Sequence, residues 1–390
     1  MVIVSTGLLL GIGLLMTVSS HVVTALSGPE PESPYQQGLW QGIYIIIGLV
    51  GAWLISRWPM RGWQVMACGV LLVACVAQAI VPIKGRNIGE NTNWLVFGSV
   101  GGHVISVQPA EFLKLGLALF LGIVLANKAA VLDRWKELIV PALLGVVLTM
   151  GLVLMGRDVG TAAIVGLASM GTLIAAGVPW SKLFAIGVAV AGAGVAVSLL
   201  YPRALERWST LLNPEAASAA EGAWQIQQAS YALAQGSVLG TGLGTSREKW
   251  GFLSQADSDF IFAVIGEEFG LVGSVLVLLL FTVLAIGLFQ IVRLHPNRVA
   301  QVTTAAIACW LCGQAFVNIA MVVRLLPVIG VPLPFVSAGG SALVASVAAI
   351  GVVVGLMRSD AQVGPALRAR PRVLGRAGGV AAWGHSRKDR

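Results

Sequence analysis

Charge is what this chain has least of. Asp, Glu, Lys and Arg make up 11% of its 390 residues while 57% are hydrophobic, and the mean hydropathy is +0.86. A soluble protein of this composition would expose apolar patches far larger than water tolerates, which excludes a soluble globular fold. Cysteine is scarce as well, with four residues. Cys309 and Cys312 form a CxxC, but it lies inside the apolar run AAIACWLCGQAF, and Cys68 and Cys75 sit seven apart on one face of another run. In such places cysteine serves as a small apolar residue, so neither a disulfide framework nor a thiolate metal site is indicated. The four histidines, His21, His103, His295 and His385, are scattered without metal-ligand spacing.

What the sequence has in abundance is long uninterrupted hydrocarbon. A membrane-crossing helix needs about 20 apolar residues, whereas a β-barrel shows short alternating segments. The runs here predict an all-α polytopic membrane protein of about ten transmembrane helices, near 3–26, 39–56, 64–82, 110–126, 138–156, 160–177, 183–200, 262–292, 300–322 and 341–357. The fifth and sixth are parted only by Arg157-Asp158, a pair best placed at the membrane surface. The first run has no basic residue before it and no cleavage-like end, so it reads as a span rather than a signal peptide.

Basic residues set the expected orientation. With the C-terminal segment inside, inner segments hold 16 Lys and Arg and outer segments hold eight, which puts both termini in the cytoplasm. The formal charge of +8 is therefore not a nucleic-acid signal, since eight basic residues lie after Met357. The expected organisation is a transmembrane body over 1–357 and a basic tail over 358–390. The tail is rich in Gly, Pro, Ala and Arg and has no apolar period, the composition of a disordered segment.

Three outer connections are long: Lys84–Pro109, Tyr201–Phe260 and Arg324–Gly340. Long connections in a compact protein are commonly functional. The largest, 201–260 between helices 7 and 8, runs into TSREKWGFLSQADSDFIFAVIGEEFG, where Asp257 and Asp259 stand directly before an apolar run and Glu267 and Glu268 follow about two turns later. Ionisable groups beside a membrane are costly and mark function. At helical spacing Asp259 and Glu267 would share a face. In QPAEFLKL, Glu111 and Lys114 share a face of the fourth span, either as a capping acid with a snorkelling lysine or as an inward pair. Asp158 is either a helix cap or an acid completing a polar pocket with that pair. VLGTGLGTS has closely spaced glycines but no strand–helix context for dinucleotide binding. LLPVIGVPLPFVSAGGS must be bent or re-entrant, and such backbone is tolerated at membrane depth only against protein or water.

Taken together, LLGIGLLMTVSS, QPAEFLKL, RDVGTA, GTGLGTSREKWGFLSQADSDFIFAVIGEEFG and LLPVIGVPLPFVSAGGS resemble the SEDS family of peptidoglycan polymerases, the group containing FtsW and RodA. The resemblance covers about residues 7–357, and the SREKW form of the loop is closer to FtsW. It implies glycosyl transfer between lipid-linked substrates: a glycan chain on undecaprenyl pyrophosphate donates, and a sugar hydroxyl of lipid II accepts. It further implies Asp259 as the family's essential aspartate and general base at the outer face of a bacterial inner membrane. A carboxylate pKa near 3.9 is low for a base working near 7, so burial and the Asp257 charge are expected to raise it. Glu111, Lys114 and Asp158 match the family's polar positions. Those three, together with Arg203, Arg207, Lys249, Ser337, Gly339 and Gly340, are the expected substrate contacts. No cofactor is required by the pattern, although a divalent cation (Mg or Mn) between acids and pyrophosphate fits such chemistry. The implied partners are a class B penicillin-binding protein and other divisome membrane proteins. This chain departs from the family at Asp257, where a histidine is usual, at Ala338, where a tyrosine is usual, and at Asn91-Thr92-Asn93, which lacks a basic residue. The competing readings are a lipid II flippase, a RodA-like elongation polymerase, or a scaffold that activates a partner polymerase.

Overall fold

The computed structural model describes residues 1–27, 35–88, 91–200, 221–250 and 252–359. It is a helical bundle: α1 (Val2–Ser27), α2 (Gln36–Ile55), α3 (Met60–Lys84), α4 (Pro109–Asn127), short α5 (Trp135–Leu138), α6 (Leu144–Met155), α7 (Val159–Ala176), α8 (Trp180–Leu200), α9 (Glu221–Gln235), α10 (Ile261–Leu294), α11 (Arg298–Val322) and α12 (Gly340–Ser359). Among the described residues nine helical stretches are long and apolar enough to cross a membrane. The remaining expected span, 183–200, corresponds to α8, whose apolar part Trp180–Ala196 is shorter than the others. The expected fifth span is not one smooth helix, because Val140 breaks it between α5 and α6.

Local chemistry sets the boundaries. Pro109 opens α4 after an extended Gln108, where its missing N–H costs nothing. Asp158 caps α7 by accepting from the Thr161 N–H, and Gly177 ends that helix at φ +84°, a conformation glycine adopts without strain. Asn297 caps α11 by accepting from the Val299 N–H at 2.8 Å. The bundle centre is lined by Trp310, Phe260, Phe335 and aliphatic residues of α10, α11 and α12. Small residues let helices approach: a Cβ on Gly351 would lie 2.5 Å from Ala52 Cα, where α12 packs closely on α2.

Two elements add to the all-α expectation. The α3–α4 connection folds into a three-stranded antiparallel sheet of β1 (Arg86–Ile88), β2 (Asn91–Val100) and β3 (His103–Val107), with register irregularities at Arg86/Asn87 and Val96/Gly98. The large connection contains the amphipathic helix α9, packed on α10. From sequence, Lys84–Pro109 is only a long outer connection. The cross-strand pairs that make it a sheet are non-local and leave no mark in short-range periodicity.

Candidate active site

Four connections converge at one end of the bundle. The α6–α7 turn brings Asp158, the sheet brings Asn93 and Gln108, the α9–α10 segment brings residues 252–260, and the α11–α12 segment brings 323–339. Asn93 Nδ2 donates to Asp158 Oδ2 at 2.8 Å, and the Gln108 N–H donates to Ser341 Oγ at 3.1 Å. Segments 257–259 and 330–338 are stapled together. Ala338 N–H donates to the Asp257 carbonyl (2.9 Å), Ser337 Oγ–H donates to the Ser258 carbonyl (2.6 Å), and the buried amide of Asn318 donates to the carbonyls of both Asp259 and Val331 (2.7 Å each). Asp259 thus stands in a turn before α10 rather than on its helical face, which corrects the face shared with Glu267. Asp257, Ser258 and Asp259 are half-buried. Gly330, at φ +69°, a conformation that favours glycine, places its backbone beside the Asp259 carboxylate: a Cβ there would lie 3.5 Å from Oδ2.

The other acids at this end are buried and committed. Asp158 Oδ1 accepts from the Thr161 N–H (2.8 Å) and Oδ2 from the Thr161 hydroxyl (2.7 Å). The cap and pocket readings of Asp158 are therefore compatible: it caps α7 while also tying Asn93 into the site. Burial pushes its pKa up, against the pull of the Thr161 hydrogen bonds. Glu267 accepts from Ser246 Oγ (2.5 Å) and the Arg247 N–H (2.7 Å). Glu268 accepts from Ser19 Oγ (2.8 Å) and from Lys249 Nζ (2.7 Å). Both glutamates fasten the 241–250 loop to α10. At Asp257, burial pushes the carboxyl pKa up while His21 pulls it down, leaving it raised. Burial and the Glu267 charge together raise Glu248.

Lys114 ion-pairs with Glu111 at 2.9 Å and donates to Gln314 Oε1 at 2.7 Å. Gln314 also accepts from the Trp310 indole (3.0 Å) and donates to the Pro332 carbonyl (2.8 Å). Both charges are buried, and the cavity beside them is about 10 Å³, room for one water and too small for a sugar. Lys249 is likewise buried, bonded to Glu268 and Ser19. Neither lysine presents its ammonium to an incoming ligand. Among the described residues, exposed cations at this end include Lys84, Arg157, Arg247 and Arg324. Arg203 and Arg207, like the tail beyond Ser359, lie outside the described residues. Gly340 lets α12 start against the Tyr44 ring, and its neighbour Gly339 has only Ala342 close to the place a Cβ would take. Sequence reasoning missed Gln314 and Asn318. A signal existed, because two amides four residues apart in an apolar span share one helix face.

A many-spanning helical membrane protein with a polar, half-open carboxylate site where four connections meet is the class this geometry defines. The chain belongs to the FtsW/RodA/SpoVE family of cell cycle proteins, whose profile matches residues 1–362. It is 33% identical over 360 residues to the probable peptidoglycan glycosyltransferase FtsW of Coxiella burnetii, covering 90% of this chain and 94% of that one. It is 31% identical over 365 residues to the stage V sporulation protein E of Bacillus subtilis, covering 92% and 96%. Among solved structures it is similar to a chain of a peptidoglycan synthase complex that coordinates polymerization and crosslinking, with TM-score 0.73, 25% identity and coverage of 93% and 98%. The rod shape determining protein RodA of Thermus thermophilus shares the fold at TM-score 0.66, with 24% identity and coverage of 93% and 97%.

Proposed function

We propose that this chain is a peptidoglycan glycosyltransferase that polymerises lipid II into glycan strands during cell division, with Asp259 as general base at the outer face of the bacterial inner membrane. The naming of its relatives supports the activity. The observation carrying the site is the contrast in burial among acids: Glu111, Asp158, Glu267 and Glu268 are buried, whereas Asp259, half-buried like Asp257, has its backbone fixed from α11.

In the proposed reaction the acceptor sugar hydroxyl of lipid II gives its proton to Asp259 as its oxygen attacks the anomeric carbon of the donor chain. The glycosidic bond forms while the bond from that carbon to undecaprenyl pyrophosphate breaks. The departing pyrophosphate needs positive charge, and charge-assisted hydrogen bonds from guanidinium groups are the strongest supply. Arg157, Arg247 and Arg324 are the described groups free of burial, and Arg203 and Arg207 are further candidates. Lys114 and Lys249 become positioning residues, holding α4 to α11 and the 241–250 loop to α10. Among the described residues no three His, Cys, Asp or Glu side chains group as a metal site. A class B penicillin-binding protein is the proposed partner, by analogy with the solved synthase complex.

The test is purified protein with lipid II and no ion gradient. Glycan product from the native chain, and its loss in a folded Asp259→Asn variant, is the expected result. Product at the native rate from Asp259→Asn would end the assignment of the base, and no product from either protein, with or without a partner, would favour a flippase.

A further inference from the structure

The β2–β3 hairpin runs from Asn91 to Val107 and turns at Gly101-Gly102 (φ +57° and +81°). From Asn91 to Ala110 the sequence holds no Asp, Glu, Lys or Arg. Hairpins facing water ordinarily guard their edge strands with charge. This one instead exposes Phe97 (71%), with Val96, Val100 and Val104 also open.

Its depth follows from its contacts with α2. Gln36 Nε2 donates to the Gly101 carbonyl at 2.6 Å. His103 stacks on Trp40, with ring centroids 4.5 Å apart and planes at 16°, and its Nε2 lies 3.2 Å from the Tyr44 hydroxyl. Burial and the neighbouring His21 push the His103 pKa down, favouring a neutral ring. At 1.5 Å per residue, Tyr44 lies about 12 Å along the helix from Gln36. The 20 residues of α2 match the roughly 30 Å of a bilayer's hydrocarbon. The hairpin therefore lies beside the first turns of a span rather than above its end. Leu39 and Ile43, next to Trp40 and Tyr44 in the helix, are exposed, so apolar side chains are open both on the hairpin and on the α2 turns beside it. An open strand edge does not survive in hydrocarbon itself, which limits the hairpin to the layer where headgroups and water supply partners.

We propose that the Asn91–Val107 hairpin is an interfacial anchor whose exposed side chains, Phe97 foremost, bed into the headgroup–acyl boundary of the leaflet at the active-site end. It holds Asn93 and Gln108, both partners of Asp158, at a set depth. The proposal requires nothing of the chemistry at Asp259.

The test is a nitroxide at position 97, and separately at 104, in a variant lacking the four native cysteines and reconstituted in vesicles of phosphatidylethanolamine and phosphatidylglycerol. Collision with oxygen relative to a water-soluble nickel complex reports depth. The expected ratio at both positions is several-fold above that of a label at exposed Ser254 and below that of one at Ile47 on the outward face of α2. A ratio equal to that at Ser254 would overturn the proposal, as would exclusion of both reagents, which indicates cover by protein. If the cysteine-free protein does not fold, a photo-crosslinking benzoylphenylalanine at position 97 in the native chain replaces it. Lipid adducts support the anchor, and their absence, or protein adducts alone, rejects it.

Discussion

At the scale of single residues, the Lys249–Glu268 pair is costly to disturb. Both side chains are almost wholly buried, 1% and 0% exposed, and removing one partner strands the other charge, at about 3–5 kcal/mol. Glu268→Ala is expected to lower the unfolding temperature in detergent sharply. The joint replacement Lys249→Met with Glu268→Leu is expected to recover most of it, since apolar pairs of similar volume substitute well for buried ions. Asn318→Ala leaves the Asp259 and Val331 carbonyls without their donor, costing about 1–3 kcal/mol for each stranded group. Its polymerisation rate is expected to fall further than that of a variant equally destabilised elsewhere. Asp257 behaves differently. A carboxyl raised by burial binds its proton more tightly folded than unfolded, so its contribution to stability is present below its ordinary range and is lost as pH rises through the raised value. Asp257→Asn is therefore expected to melt higher than the native protein at neutral pH, with the gap closing in acid.

At the scale of elements, the break in α10 carries most of the outer architecture. Gly270 has φ +66° and ψ −159°, a region essentially confined to glycine. There the N–H groups of Leu271 and Val272 bond to the Ser237 and Val238 carbonyls instead of continuing the helix. A Cβ at Gly270 would meet the backbone of Gly240 and Val238. Gly270→Ala is expected to cost about 1–3 kcal/mol from backbone strain alone and to make residues 236–250 more sensitive to protease. The spans and their order were legible because hydrocarbon length is written in consecutive residues. The capping role of Asp158 was legible because a cap acts within three positions. The roles of Glu267, Glu268 and Lys249 were not, since their partners Ser246 and Ser19 come from a loop and from α1. The hairpin was missed for the same reason: its register joins residues whose pairing no local pattern reveals.

At the scale of the whole molecule, the convergence of four connections makes a statement about sidedness. Exposed positions 254 and 325 belong to two of these connections, whereas 296 lies at the opposite end, between α10 and α11. Cysteines placed at 254 and 325 in a chain without Cys68 are expected to react together with a membrane-impermeant maleimide on intact cells, and one at 296 only after permeabilisation. The reverse pattern would invert the proposed orientation. The two hydrogen bonds donated by Asn318 have a further meaning at this scale. They tie the backbone of Asp259 to α11 and to the 330s, while the break at Gly270 separates the first turns of α10 from the rest of that helix. The carboxylate's backbone is thus registered to segments some sixty to eighty residues further along the chain as much as to the long helix it introduces.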